Sequence, residues 1–211
     1  MSEYKQKIIE NLISKIKHIK NISIIELGVQ RGISTKLFLQ ICKKNKGKLY
    51  SVDIDDCSKV SKDKRWIFIR SKDDNFKKIF NLIPDRNDVI YIDTLHEANH
   101  VEKLIYKYYE KLKVNGYMFI DDISHLPYLL NKDRNNFYCE INNQETFERI
   151  LEIYSDNENC FDINFSFKSS GLCMIKKLNN QKLKSKRKIN SRKFSLRNII
   201  RTLVKNFKIE N

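Results

Sequence analysis

The sequence predicts an α/β fold, a doubly wound and mostly parallel seven-stranded sheet covered by helices and closed by an antiparallel hairpin. Three observations carry this. Short β-branched runs alternate with segments of helical periodicity along the chain. The runs are apolar throughout, as strands buried on both faces are, rather than alternating apolar and polar. Finally, "CFDINFSF" and "LCMIKK" flank "KSSG", the pattern of a hairpin that closes a sheet.

The elements follow in order. Residues 4–20 place Ile8, Ile9, Leu12, Ile13, Ile16 and Ile19 at helical spacing, an amphipathic helix. "ISIIEL" (22–27) is a strand halted by Gly28. A helix follows, with Ser34 or Thr35 as its cap and Leu37, Phe38 and Ile41 as its apolar face. "KLYSVDI" (48–54), "RWIFIR" (65–70) and "DVIYID" (88–93) are the next three strands. A helix over 97–112 carries Val101, Leu104, Ile105, Tyr108 and Leu112 on one side. The fifth strand, Tyr117 to Asp121, lies inside "GYMFIDDISH", and a helix is expected at 144–154 before the hairpin. The boundaries read as a helix at 1–20, a domain at 21–178 and a basic tail at 179–211.

At 211 residues and 41% hydrophobic, the chain affords one full-sized core. Five glycines and two prolines argue against repeats or a Pro-rich linker. None of the five cysteines forms a Cys-x-x-Cys pair, so a zinc ribbon or redox motif is not indicated. The opening twenty residues are charged throughout, unlike a secretion signal, and no apolar run nears the roughly 20 residues of a membrane span. A reducing, cytoplasmic setting is the expectation. Of the net charge of +15, residues 179–211 hold +10, eleven Lys or Arg against Glu210.

In open parallel sheets, ligands bind beyond the carboxyl ends of the strands. Here those ends carry Glu26, Asp53, Asp93, Asp121 and Asp122, which should converge on one crevice. In "IIELGVQRGIST", glycines let the backbone turn sharply, and the following helix start offers free N–H groups to a carboxylate. The spacing Gly-x-x-x-Gly is neither a Gly-x-Gly-x-x-Gly dinucleotide fingerprint nor a P-loop. Asp53 is placed to accept hydrogen bonds from ribose hydroxyls. The bland alternative is a tight turn plus a helix-capping acid.

Glu-x-Gly-x-x-x-Gly after the first strand, "VDID" after the second, and "IDTLH" and "GYMFIDDI" at the fourth and fifth resemble class I S-adenosylmethionine-dependent methyltransferases over residues 20–178. The resemblance implies a Rossmann-like sheet with an antiparallel seventh strand. It sets Glu26, Gly28 and Gly32, with Ser34 beside them, along the methionine end of S-adenosyl-L-methionine. It sets Asp53 on the ribose and Ser71 to Asp73 at the adenine.

Asp93, Asp121 and Asp122 lie at neighbouring strand ends, and three carboxylates in one pocket call for a cation. Hard oxygen ligands favour Mg²⁺, Mn²⁺ or Ca²⁺. The pattern is similar to metal-dependent O-methyltransferases that modify sugar hydroxyls of macrolides and related glycans. That likeness implies Asp93 and His96 in catalysis, His96 as general base, and a sugar or similar small molecule as acceptor. The alternative is that Asp122 caps the next segment and Asp121 is solvated. His125 and the aromatics Tyr128, Phe137 and Tyr138 of loop 124–143 are candidates to cover the acceptor.

Three other readings compete. "HEANH", His96 to His100, fits the His-Glu-x-x-His signature of zinc proteases. A cofactor-binding scaffold with an idle crevice is the non-enzymatic one. The tail supports a nucleic-acid methyltransferase. It opens with a polar stretch that has no core to join, then places Leu196, Ile199, Ile200, Leu203, Val204 and Phe207 at helical spacing opposite Arg197, Arg201, Lys205 and Lys208. Such a helix suits an anionic membrane or nucleic acid through 182–211, an acidic partner, or a docked position on a dimer mate or this domain; a homo-oligomer stays open.

Overall fold

The computed structural model describes residues 3–125, 137–190 and 195–209, though not the side chains of 3, 137–139 and 206–209. Five strands, β1 (Ser23–Leu27), β2 (Lys48–Asp53), β3 (Trp66–Arg70), β4 (Asn87–Ile92) and β5 (Leu112–Asp121), run parallel. The hairpin β6 (Phe161–Ser166) and β7 (Leu172–Lys177) completes a seven-stranded sheet in the order β3-β2-β1-β4-β5-β7-β6, with β7 antiparallel to both neighbours. The order reverses between β1 and β4, the switch point where such sheets open a ligand crevice.

Side chains alternate across a strand, so each strand feeds two cores. On one face, Ile24, Leu49, Tyr91 and Phe119 pack under α3 (Ile33–Asn45) and the first helical segment. That segment is α1 (Glu3–Lys7), a π-helical stretch (Ile8–Ile13) and α2 (Ser14–Ile16). It buries Ile8, Leu12 and Ile16 completely, each worth about 1.5–3 kcal/mol of apolar burial. On the other face, Ile25, Val52, Ile90, Ile92, Met118 and Ile120 meet α4 (Phe76–Phe80), α5 (Ala98–Tyr109) and α6 (Phe137–Tyr154).

Three expectations need correction, and one helix is unanticipated. Helix α6 starts at Phe137, seven residues earlier than expected, and takes in part of the anticipated loop; Tyr128 lies outside the described residues, as do the side chains of Phe137 and Tyr138. The short α4 shows no periodic signal in the sequence. Neither Ser34 nor Thr35 caps α3: its N-cap is Gly32, at φ 72° and without a side-chain bond, because both hydroxyls turn inward to Glu26. And the polar stretch after Leu178 does find a surface. The Lys184 amide donates to Asn157 Oδ1 and that of Arg187 to the Glu152 carbonyl, while Leu183 packs against the core. Lys186 and Arg187 pair with Glu102 and Asp156, tying this strap to α5 and the end of α6.

Candidate active site

Period-two alternation decides where the acids point. Glu26 shares the parity of Ile24, Asp93 that of Tyr91, and Asp121 that of Phe119, so all three lean toward the face covered by α3 and the first helical segment. Glu26 is fully buried and accepts from Ser34 Oγ (2.6 Å), Thr35 Oγ1 (2.9 Å) and Ser51 Oγ (2.6 Å). Burial pushes its carboxyl up to about 7, against the pull of the three hydroxyls. It does not line the cleft.

The cleft, of about 780 Å³, opens beyond the ends of β1, β2 and β4, and Gly28, Ser34, Asp53, Ser71, Asp73, Asp93, His96 and Asp122 line it. Gly28 has φ 95°, and a β-carbon there would fall 1.8 Å from the Asp93 carbonyl oxygen, so only glycine lets the β1 turn pass against β4. Gly32 is not a cleft residue; its near neighbour is Val60. Asp53 Oδ2 accepts from the amides of Val29 (2.8 Å) and Gln30 (3.0 Å), and Oδ1 from that of Asp55 (2.9 Å). Partial burial raises its carboxyl, but these backbone bonds outweigh it and hold the group below its usual value. Asp73 Oδ2 accepts from His100 Nε2 at 2.8 Å, which fixes the third-strand end of the cleft.

The paired acids "DD" part company. Asp121 is 1% exposed and forms an ion pair with Lys7 of α1, itself fully buried. It also accepts from Tyr91 Oη at 2.8 Å and from the Asp122 amide at 2.8 Å. Asp122 leaves the strand at φ 58°, which swings its side chain into the cleft. There His96 Nε2 stands 3.3 Å from Asp122 Oδ2 and 3.6 Å from Asp93 Oδ1. Asp93 Oδ2 accepts from Tyr4 Oη (2.8 Å). Burial first, and then the nearby Asp121 charge, raise the Asp93 carboxyl to about 6, partly offset by His96 and Tyr4.

Two consequences follow for cofactors. Among the described residues, no three His, Cys, Asp or Glu side chains form a group able to hold a metal ion. Asp121, expected as a third ligand for Mg²⁺, Mn²⁺ or Ca²⁺, is already neutralised by Lys7, so the residues present do not fit a three-carboxylate cation site. They do fit a nucleoside carrying an amino acid: Asp53 for hydroxyls, uncapped N–H groups at the start of α3 for a carboxylate, and the Thr94 hydroxyl, which lines the cleft and has no partner among the described residues.

The zinc-protease spacing fails on geometry. Glu97 is extended (φ −107°, ψ 130°) and only caps α5, so His96 precedes the helix. His96 faces Asp93 and Asp122 while His100 faces Asp73. Sequence reasoning missed Tyr4 and Lys7. Their signal was a lysine beside Ile8 and three residues after Tyr4, within the buried stripe of an amphipathic helix.

Residues 25–123 match the family model described as a methyltransferase domain. No curated protein sequence matches the chain significantly. Among solved structures, the SAH-bound methyltransferase PaMTH1 of Podospora anserina is 14% identical at a TM-score of 0.63, over 79% of this chain and 76% of that one. A Staphylococcus aureus protein assigned as a caffeoyl-CoA O-methyltransferase is 15% identical at 0.61, over 84% of each. The MycE methyltransferase of the mycinamycin biosynthetic pathway, in complex with Mg and SAH, is 15% identical at 0.59; the match takes in 82% of this chain and only 50% of MycE. At these identities the likeness is one of fold. Residues 25–123 thus match a methyltransferase domain, and the switch-point cleft and the sheet closed by an antiparallel seventh strand belong to the fold that these methyltransferase structures share.

Proposed function

We propose that the chain transfers a methyl group from S-adenosylmethionine to a hydroxyl oxygen of a sugar or similar small polyhydroxylated acceptor. The observation that carries this reading is His96, flanked at 3.3 and 3.6 Å by Asp122 and Asp93 at the mouth of the β4–β5 ends. Asp53, Ser71, Asp73 and Ser34 line the same cleft, and on this reading the first three face the nucleoside and Ser34 the methionine. S-adenosylmethionine supplies the electrophilic methyl on its sulfonium. His96 Nε2 takes the proton of the acceptor hydroxyl as that oxygen bonds to the methyl carbon, and the electron pair of the broken C–S bond stays on sulfur. The two carboxylates orient the ring and compensate the charge it gains. As cleft-lining carboxylates, Asp93 and Asp122 also suit an acceptor with adjacent hydroxyls, which donate to carboxylates.

Divalent-cation assistance is the second reading. It is favoured by two open carboxylates, Asp93 and Asp122, and by the Mg-containing MycE neighbour. Against it stands the engagement of Asp121 with Lys7. A nucleic-acid acceptor draws on the basic tail, but there Lys186 and Arg187 are already paired with acids of this domain. Calorimetry with S-adenosylmethionine, then mass detection of methylated products from a panel of sugar nucleotides and glycosides, with Mg²⁺ or with a chelator, tests the proposal. Binding without methylation of any hydroxylated acceptor overturns it, and a strict need for Mg²⁺ replaces it with the second reading.

A further inference from the structure

Helix α7 (Leu196–Ile209) leaves a row of apolar side chains in solvent. Leu196 is 80% exposed, Ile200 58% and Leu203 53%, with Ile199 and Val204 close behind. They recur at i, i+3, i+4, i+7 and i+8, so they form one stripe along a helix roughly 21 Å long by its rise per residue. Arg197, Arg201 and Lys205 run beside it at a spacing of four, and from 179 to 209 the sequence holds no Asp or Glu. Elsewhere exposed large apolar side chains such as Ile54, Leu82 and Leu95 stand singly, and the first helical segment buries its own stripe against the sheet. Exposure of a whole stripe is costly in water unless something apolar meets it.

We propose that α7 is a peripheral anchor that lies in the surface of an anionic lipid bilayer. The apolar stripe enters the acyl boundary and the arginines and lysines meet the phosphates at the same level, an arrangement that needs both features on one helix. The charge decides among the candidate occupants. A second copy would bring the same cationic flank against this one. Nucleic acid would satisfy the charge and leave five aliphatic side chains in water, and no aromatic side chain lies from 195 to 205 to stack on a base. An anionic membrane satisfies both. Among the described residues no helix is long and apolar enough to cross a membrane, so the contact is interfacial.

The full chain, mixed with vesicles of phosphatidylcholine alone or with about one-third phosphatidylglycerol, is separated by flotation. Binding to the anionic vesicles should exceed binding to the neutral ones by about tenfold or more, and fall as salt rises from about 0.1 to 0.5 M. The double variant Ile200→Glu/Leu203→Glu should lose about tenfold of this binding. Both sites are exposed, so its melting temperature and its affinity for S-adenosylmethionine should stay at wild-type values. Equal flotation of variant and wild type overturns the proposal, as does failure of the full chain to bind anionic vesicles. So does retention of an RNA homopolymer, or self-association by light scattering, that the double variant abolishes while vesicles remain unbound.

Discussion

Five acids stand at the carboxyl ends of four neighbouring strands, and the fold treats them in two ways. Glu26 and Asp121 are buried and satisfied by the protein itself, one by three hydroxyls and the other by a lysine, a tyrosine and an amide. Asp53, Asp93 and Asp122 keep oxygen atoms on the cleft. Adjacent positions in sequence fall into different classes, as Asp121 and Asp122 do, because a single left-handed residue turns one of them outward. An acid at a strand end is therefore a site candidate only after its inward partner has been sought.

The largest break of this contrast is Lys7→Met. It leaves the Asp121 carboxylate buried without its ion-pair partner, which costs about 3–5 kcal/mol in typical cases. The variant should melt well below wild type, and Asp121→Asn added to it should recover much of the loss. The same change moves Asp121 toward the open class beside Asp93 and Asp122. Lys7→Met should then gain stability from millimolar Mn²⁺ by thermal shift, while wild type gains far less. Equal stabilisation of both would show that Lys7 does not govern the cation chemistry of these acids.

His96→Gln acts on the outer class. It keeps a polar side chain between Asp93 and Asp122 but removes the proton acceptor, so kcat should fall by about 10²–10⁴-fold with S-adenosylmethionine affinity unchanged by calorimetry. A loss of affinity with little change in kcat would assign His96 to binding instead.

How far the sequence reaches can be judged from these same residues. The strands were legible because apolar β-branched runs ended in acids, and α3 and α5 because their apolar positions recur at helical spacing. The crevice followed from topology, and His96, Asp53, Asp93 and Asp122 do line it. What stayed hidden needed a partner distant in sequence. Lys7 meets Asp121 across 114 positions, and nothing local to "FIDDI" announces it. The strap at 181–190 carries too few apolar residues to show a period, and it is held by backbone hydrogen bonds that any polar sequence makes. Parity was the neglected signal: Glu26, Asp93 and Asp121 lie in phase with Ile24, Tyr91 and Phe119, residues that the first helical segment and α3 cover.

Glu26→Gln sharpens the inner class. Its ordinary carboxyl value is 4.5 and burial raises it to about 7. Below pH 4.5 folded and unfolded chains both hold the proton, and the group adds no pH dependence. As pH rises from there, the unfolded chain ionises while the folded one keeps its proton, so stability falls until about pH 7, by about 3 kcal/mol in all. Glutamine cannot ionise and still offers groups to Ser34, Thr35 and Ser51. Melting curves of the variant should thus be flatter than wild type between pH 4.5 and 7. A residual slope of the same sign should remain from Asp93, which is also raised. Identical slopes in variant and wild type would mean that Glu26 ionises normally and that its three hydroxyl bonds outweigh burial.

Asp53→Asn closes the series with the smallest change. The asparagine oxygen still accepts from the Val29 and Gln30 amides, so the turn after β1 persists, but the charge that strengthens these bonds is gone. Affinity for S-adenosylmethionine should drop by about tenfold, the loss of one charge-assisted hydrogen bond to the ribose. The stability effect has the opposite sign to that of Glu26. The Asp53 carboxyl lies below its usual value when folded, so its stabilisation is present above that value and is lost as pH falls through the folded one. Asparagine removes that acid-side loss. If cofactor affinity is unmoved while the acid limb of the stability profile flattens, Asp53 serves the turn alone and the ribose is held by another residue of the cleft.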